Sequence, residues 1–202
     1  MENLFLPLHN IESKDWELRN KGLIRILEIG FRTGENIKYY PKNCHLLVVD
    51  RNVYIQSYLD SNPNLTNNVN LENVFVLSGE SLKAISDNSV DAVVGTYVLC
   101  TATRVDQLLS EIKRVLTPKG LYFFLEHNPE PQNTFLHKVQ NILTITKLWP
   151  IIFDGCHLNR RTEQDIKAAQ FSDLTYQFIT VSSDHNMFSR FIRTHVIGSA
   201  IK

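Results

Sequence analysis

Residues 27–36 read LEIGFRTGEN, and this segment decides the fold. The apolar run that leads into it, residues 23–29, predicts a strand, and the glycine-containing turn is followed by a predicted helix. A glycine-rich turn between a strand and a helix lets the backbone approach a ligand and presents free N–H groups to it. The nicotinamide-dinucleotide fingerprint needs glycine at the first, third and sixth places of such a turn. Here the sixth place is Glu35 and Gly34 comes one residue earlier, which disfavours a nicotinamide oxidoreductase.

Apolar runs that predict strands alternate with helical segments beyond this turn. Four further strands are predicted, over residues 46–49, 73–77, 91–95 and 121–125. Residues 105–116 have a helical period, and the sequence Thr-Pro-Lys-Gly at 117–120 ends that helix. The strands are nearly continuous apolar runs, which is typical of parallel strands covered on both faces. Strand–helix alternation therefore predicts right-handed βαβ units.

The pattern changes after residue 126. Helices are predicted over residues 134–148 and 162–170, and late strands over residues 174–181 and 191–201. Two closing strands added to five parallel strands predict an α/β, Rossmann-like fold. We expect a seven-stranded, mostly parallel sheet with helices on both faces and one antiparallel C-terminal strand.

Charge and cysteine content limit the class of protein. Lys+Arg and Asp+Glu both number 21, so the zero formal charge argues against a nucleic-acid binder that relies on a general positive field. Cys44, Cys100 and Cys156 are widely spaced with no CxxC motif, so neither a disulfide framework nor a metal site is predicted. A reducing compartment is the expected environment. The longest apolar segment, residues 142–153, is too short to span a membrane, but it suits a membrane surface or the cover of a pocket.

The glycine turn resembles the acidic-x-Gly-x-Gly-x-Gly motif of class I S-adenosylmethionine methyltransferases. Glu28, Gly30 and Gly34 match that motif, and Arg32 stands in place of its middle glycine. In that family the acidic residue and the loop lie near the methionine amino end of the cofactor. The resemblance therefore implies that Glu28, Gly30 and Gly34 bind S-adenosyl-L-methionine.

Four more residues are assigned to the cofactor through this resemblance. Asp50 ends the second strand, where the two oxygens of a carboxylate match the vicinal hydroxyls of a ribose; without the resemblance, it reads as a turn or cap residue. Gly79 and Glu80 follow the third strand, where the family's turn borders the adenine. The alternative for this turn is a helix start capped by Ser78 and favoured by Glu80. Thr96, at the end of the fourth strand, completes the cofactor-binding set.

Four longer sequence segments make the resemblance to one group of this family more specific. Residues 96–100 (TYVLC), 124–127 (FLEH), 153–160 (FDGCHLNR) and 195–202 (HVIGSAIK) look like the alkyl-thiol S-methyltransferases of the methyltransferase-like group. The resemblance implies one methyltransferase-like domain over residues 1–202, with an N-terminal helix or turn region at 1–22 and a substrate-side insertion at 128–170. It also implies a small-molecule substrate; the zero formal charge is the reason that no nucleic-acid partner is expected.

The same resemblance bears on localisation. Members of the group associate with the endoplasmic reticulum and lipid droplets through an apolar N-terminal segment, and this chain begins after the place where that segment would lie. A cytoplasmic location is therefore expected. The alternative is peripheral contact with the endoplasmic reticulum or the lipid-droplet surface.

Methyl transfer is an in-line displacement at a sulfonium methyl, so positioning supplies a large part of catalysis. A thiol with a pKa of about 8.5 is only slightly ionised at neutral pH, and a base or a positive neighbour would help. Because ligands of doubly wound sheets bind at the carboxyl ends of the strands, His127 and Asp154 are the predicted catalytic residues. His157 is the alternative within the later DGCH string, and the cysteines at 100 and 156 are interpreted as packed side chains.

The predicted function is S-adenosylmethionine-dependent methylation of a small molecule, with thiols as the first acceptor class. The alternative is a non-catalytic binding or scaffold protein that keeps the fold without the cofactor. The orientation of the Arg32 side chain distinguishes these two functions. A guanidinium directed into the pocket would fill the space of the methionine moiety, whereas one along the rim would pair with the cofactor carboxylate. A positive φ at this position would cost about 1–2 kcal/mol.

Overall fold

The computed structural model describes residues 1–181 and 188–202. Its seven strands are β1 (Ile24–Ile29), β2 (Cys44–Asp50), β3 (Asn70–Val76), β4 (Val90–Thr96), β5 (Leu116–His127), β6 (Asp173–Thr180) and β7 (Thr194–Ile201). They form one sheet in the order β3-β2-β1-β4-β5-β7-β6. The first five strands pair in parallel, and β7 runs antiparallel to both β5 and β6. The predicted seven-stranded sheet with one antiparallel C-terminal strand is confirmed.

The described residues contain seven α-helices, of which the first two precede β1 and the other five lie between strands: α1 (Glu2–Phe5), α2 (Trp16–Asn20), α3 (Ile55–Ser61), α4 (Val105–Val115), α5 (Phe135–Ile145), α6 (Leu148–Ile152) and α7 (Thr162–Ala168). Short 3-10 helices cover Leu6–Asn10, Ile37–Tyr39, Pro63–Thr66, Leu99–Thr101 and Phe188–Ile192. No helix among the described residues is long and apolar enough to cross a bilayer.

The helices cover both faces of the sheet, as predicted. Alternate residues of β1 enter two separate buried clusters, because successive side chains of a strand point to opposite faces. Leu27 packs with side chains of α4 and α7, whereas Ile26 packs with side chains of α1 and α3. The central strands β1, β2 and β4 are therefore buried on both sides, whereas the edge strands β3 and β6 are largely exposed.

The helix predicted after the glycine turn is only the 3-10 turn Ile37–Tyr39. Tyr40 is already extended, with φ −79° and ψ 147°. Pro41 follows it, and a proline disfavours the helical conformation of the preceding residue and lacks the N–H that a continuing helix needs. The prediction of a regular helix here is wrong for that reason.

Two other predicted segments are built differently in the structure, whereas most of the remaining boundaries shift by up to three residues. The single helix expected over 134–148 is divided into α5 and α6, because Lys147 adopts a left-handed conformation with φ 60°. Pro150, which cannot donate an N–H in a continuous helix, agrees with the break. The turn expected at 117–120 lies inside β5, where the pairing register jumps from Val90 opposite Leu116 to Ala92 opposite Leu121. The extra residues form a bulge rather than a separate loop.

Candidate active site

A pocket of about 690 Å³ opens at the carboxyl ends of β1, β2, β4 and β5. The turn after β3, the segment around α6 and the start of β7 complete its walls. Ligands of doubly wound sheets bind at this edge, and small-molecule pockets span roughly 300–1,000 Å³. The pocket therefore has the position and the size of a substrate or cofactor site.

Asp50 lies on the wall of this pocket at the end of β2. Its carboxylate accepts the backbone N–H of Arg32 and the backbone N–H of Asn52, each at 2.8 Å. Its own carbonyl accepts the N–H of Leu77, so the ends of β2 and β3 are joined here. Both carboxylate oxygens are held in fixed positions and keep lone pairs for a further donor.

Gly30 and Gly34 both adopt left-handed conformations, with φ of +73° and +74°. A Cβ at Gly30 would lie 2.7 Å from a methyl group of Val98, and a Cβ at Gly34 would lie 2.8 Å from the ring of Phe31. The turn thus needs glycine at both positions for conformation and for space. Gly30 lines the pocket, whereas Gly34 shapes the turn without lining it.

Arg32 also has a positive φ, 52°, which costs about 1–2 kcal/mol in a residue with a side chain. The residue is exposed and lines the pocket, and the volume of about 690 Å³ is the space that remains with this side chain in place. Of the two orientations expected for Arg32, this exposed position agrees with the one along the rim.

Glu28 and Thr96 lie behind the pocket wall and do not line it. The amide of Asn36 donates to the Glu28 carboxylate at 2.8 Å and to the Thr96 hydroxyl at 3.0 Å, so one side chain ties the turn to β1 and β4. Burial raises the pKa of Glu28 to about 7, against the opposing effect of the Asn36 hydrogen bond. In this geometry both residues position the turn.

Gly79 and Glu80 line the pocket after β3. No helix begins at Ser78; the structure has turns and bends until β4, so the alternative of a helix start is wrong. A Cβ at Gly79 would lie 2.8 Å from side-chain atoms of both Ile29 and Leu108. The Glu80 carboxylate accepts the backbone N–H groups of Thr103 and Arg104, just before α4, at 2.6 and 3.1 Å.

His127 ends β5 and lines the opposite part of the pocket. Its ring centroid lies 4.5 Å from that of Tyr97 and 5.3 Å from that of His195. His195 is opposite His127 in the β5–β7 pairing. Burial lowers the pKa of His195 to about 4, with a smaller contribution from His127, so the His195 ring is neutral at pH 7.

Two buried cysteines lie beside this histidine. The sulfur of Cys156 lies 3.4 Å from Nδ1 of His127, and the sulfur of Cys100 lies within 4.8 Å of the Cys156 sulfur. The neighbouring Cys100 thiol, with a smaller contribution from His127, lowers the pKa of Cys156, and the neighbouring Cys156 thiol raises the pKa of Cys100. The cysteines are buried, as expected of packed side chains, but they also border the pocket.

Asp154 lies at the mouth of the pocket in a left-handed conformation, with φ 52°. Its side chain is 86% exposed and pairs with Arg51 at 2.6 Å. The Arg51 guanidinium also donates to the Asp154 carbonyl. The ion pair links the end of β2 to the segment after α6. His157, the alternative from the same string, is not among the described residues that line the pocket.

Glu126 is a buried acid that the sequence did not single out. Its carboxylate accepts the backbone N–H groups of Val98, Leu99 and Cys100, at 2.8, 2.8 and 3.2 Å. Burial raises the pKa of Glu126 to about 7, against the effect of these hydrogen bonds. The carboxylate therefore fixes the segment after β4, which carries Tyr97 and Cys100.

Comparison with known proteins identifies the family. A methyltransferase domain family matches residues 27–124. The thiol S-methyltransferase TMT1A of Homo sapiens is 33% identical over 181 residues, which cover 90% of this chain and 72% of the relative. The chain belongs to this methyltransferase family. The thiol S-methyltransferase TMT1B of Rattus norvegicus is 39% identical over 155 residues, or 77% of this chain, and the match spans 63% of the relative's length.

Solved structures show the same fold at low sequence identity. A methyltransferase from Methanosarcina mazei has a TM-score of 0.67 at 14% identity, covering 89% of this chain and 92% of its own. The [4+2]-cyclase SpnF has the same TM-score at 17% identity, covering 100% of this chain and 79% of its own. A cyclase shares this methyltransferase fold, so the fold alone does not determine the reaction.

The structure brings six of the nine predicted site residues to one pocket: Gly30, Asp50, Gly79, Glu80, His127 and Asp154. The other three, Glu28, Gly34 and Thr96, lie behind its wall. Sequence reasoning missed Tyr97, Glu126 and His195, although all three fall within the strings on which the closer resemblance rests.

Proposed function

We propose that this family member is an S-adenosylmethionine-dependent methyltransferase that methylates the sulfur of a small thiol. The observation that carries the proposal is one continuous pocket with two different walls. One wall presents Asp50 and the glycines after β1 and β3, and the other presents His127 among aromatic and thiol side chains. The relatives named thiol S-methyltransferases support the choice of acceptor.

The first wall fits the cofactor. Asp50 offers two fixed carboxylate oxygens to a ribose diol, and Gly30 and Gly79 present backbone without a side chain at the pocket wall. These residues would hold S-adenosylmethionine, which supplies an electrophilic methyl group on a sulfonium when bound. The exposed Arg32 at the rim is placed to pair with an anionic group such as the cofactor carboxylate.

The second wall fits a small apolar acceptor. Trp149, Ile152 and Phe153 line it, and the rings of Trp149 and Phe153 stack at 4.0 Å between centroids. We assign His127 the role of stabilising the thiolate of the acceptor, since it lines this wall beside the two cysteines, and its neighbour His195 is neutral at pH 7. Asp154 borders the mouth and, through Arg51, holds the insertion against the cofactor side.

The test is methyl transfer to a panel of acceptors. The full chain is incubated with methyl-labelled S-adenosylmethionine and matched alkyl compounds that end in a thiol, a phenol or an amine. We expect labelled thioether from the thiol alone. Transfer to the phenol or amine without transfer to the thiol would contradict the acceptor. Cofactor binding without transfer to any acceptor would favour the non-catalytic alternative.

Peripheral contact with a lipid surface stays a prediction. Phe135, Ile145 and Ile151, on α5 and α6, have exposed fractions of 81%, 75% and 79%, which supports it. Their neighbour Ile152 lines the pocket, so an apolar acceptor would reach the site from the same side.

A further inference from the structure

We propose that Cys100, His127 and Cys156 form a binding site for a thiophilic metal ion, with Zn²⁺ as the ion to test. The site lies at the acceptor wall of the pocket. The metal-binding claim stands on these three residues alone. The role we give the metal, holding the acceptor sulfur, rests on the proposed function.

The geometry is that of a nearly formed site. The two sulfurs and the imidazole nitrogen all lie within 4.8 Å of one another, and the Cys156 sulfur is 3.4 Å from His127 Nδ1. With bonds of about 2.3 Å to sulfur and 2.0–2.1 Å to nitrogen, tetrahedral ligands lie roughly 3.6–3.8 Å apart. Movements of about 1 Å or less therefore complete the triangle.

The three ligands come from separate elements that are already joined to one another. Cys100 lies in the 3-10 turn after β4, where its N–H donates to the buried Glu126. Its carbonyl accepts the N–H of His157 at 2.9 Å, which fixes the segment that carries Cys156. His127 is held against the ring of Tyr97. Preorganised ligands of this kind reduce the cost of metal binding.

The donor set suits zinc chemistry with an exchangeable position. Two cysteines and one histidine leave the fourth tetrahedral position to water or substrate, the arrangement of catalytic rather than structural zinc sites. All three residues line the pocket, so the fourth position is reached from the acceptor side.

A thiol acceptor would use that position as follows. Its sulfur forms a bond to the metal as a bound water leaves, and its proton passes to solvent in the pocket. The acceptor is then held as a thiolate, the form that attacks a methyl group. The neutral thioether product is a poorer ligand, so water replaces it.

The experiment measures metal uptake by the full chain, kept reduced with a phosphine and free of S-adenosylmethionine and thiols. We expect one Zn²⁺ per chain, and with Co²⁺ the absorption bands of tetrahedral thiolate coordination. Cys100→Ala and Cys156→Ala should each lower zinc affinity at least about tenfold. Cys44→Ala is the matched control: Cys44 is also buried, but it lies in the core cluster away from the pocket. Its removal should leave affinity unchanged.

Two results would overturn the proposal: no zinc uptake by the folded, reduced wild type, or equal affinity in all three alanine variants. If an alanine variant does not fold, alkylation of the wild type decides. Zinc should protect Cys156 from the reagent, and equal labelling with and without zinc is a negative result. Calorimetry with S-adenosylmethionine on the same preparation keeps the two proposals apart. Cofactor binding and thiol methylation at an unchanged rate without zinc would refute the role of the metal in holding the acceptor sulfur, whereas the uptake experiment alone decides whether the site binds zinc.

Discussion

Asp50→Asn is the substitution that separates the binding of the cofactor from the stability of the fold. Asp50 accepts two backbone N–H groups and faces the pocket. Asp91 is a matched control, since it is equally buried and also accepts two backbone N–H groups, at 3.0 and 2.9 Å. Asp91 lies near the start of β4, however, at the edge of the sheet opposite the pocket.

The magnitudes follow from the hydrogen bonds. An asparagine keeps one acceptor oxygen and turns an NH₂ group toward the second donor, so each variant loses one hydrogen bond to a charged group. Such bonds contribute about 1.5–3 kcal/mol, and both variants should be less stable by about that amount. Asp50→Asn should also lose one bond to the ribose diol, which weakens cofactor binding about 10- to 150-fold.

Urea unfolding gives the stabilities, and calorimetry with S-adenosylhomocysteine gives the affinities of the folded variants. We expect Asp91→Asn to bind the ligand as the wild type does. A folded Asp50→Asn variant that binds within about twofold of wild type would refute the ribose contact. So would an equal loss of affinity in Asp91→Asn.

Three further predictions concern stability. Burial raises the pKa of Glu28 from 4.5 to about 7. As the pH rises between these values, the unfolded chain loses this proton while the folded chain keeps it. The free energy of unfolding therefore falls by up to about 1.4 kcal/mol per pH unit in this range. Urea unfolding at pH 5 and pH 8 should show a smaller fall for Glu28→Gln, and an identical fall would contradict the assignment. Gly30→Ala should be about 1 kcal/mol more destabilising than Gly22→Ala. Both glycines have a positive φ, but a Cβ meets a neighbouring methyl group only at Gly30. Equal thermal unfolding temperatures for the two variants would argue against this clash. Arg51→Ala and Asp154→Asn should each change the unfolding free energy by less than about 1 kcal/mol, because the two paired side chains are 52% and 86% exposed. A larger change, measured by urea unfolding, would contradict this expectation for an exposed ion pair.

The sequence predicted the sheet and its cofactor edge because these depend on local signals. Continuous apolar runs identify parallel strands, and the residues that end them must meet at one edge, which is why Gly30, Asp50 and Gly79 line one pocket. The regular helix predicted after the glycine turn was wrong, although Pro41, which opposes a helix there, is visible in the sequence.

The grouping of the three proposed metal ligands could not be predicted from the sequence, because it depends on the order of the strands in the sheet and on the paths of the loops. Cys100 and Cys156 share no local motif, and they meet at His127 only because β4 pairs with β5 and the segment after α6 folds back over both. His195 reaches the site only because β7 inserts between β5 and β6. The side-chain position of Arg32 is likewise a matter of packing and exposure.

A crystal structure of the chain with S-adenosylhomocysteine tests the central claim most directly. We predict the ribose hydroxyls within hydrogen-bonding distance of Asp50, the backbone of Gly30 against the ligand, and the ligand sulfur directed toward His127. A fully occupied ligand elsewhere on the molecule, or a pocket that takes up no ligand at saturating concentration, would contradict the account.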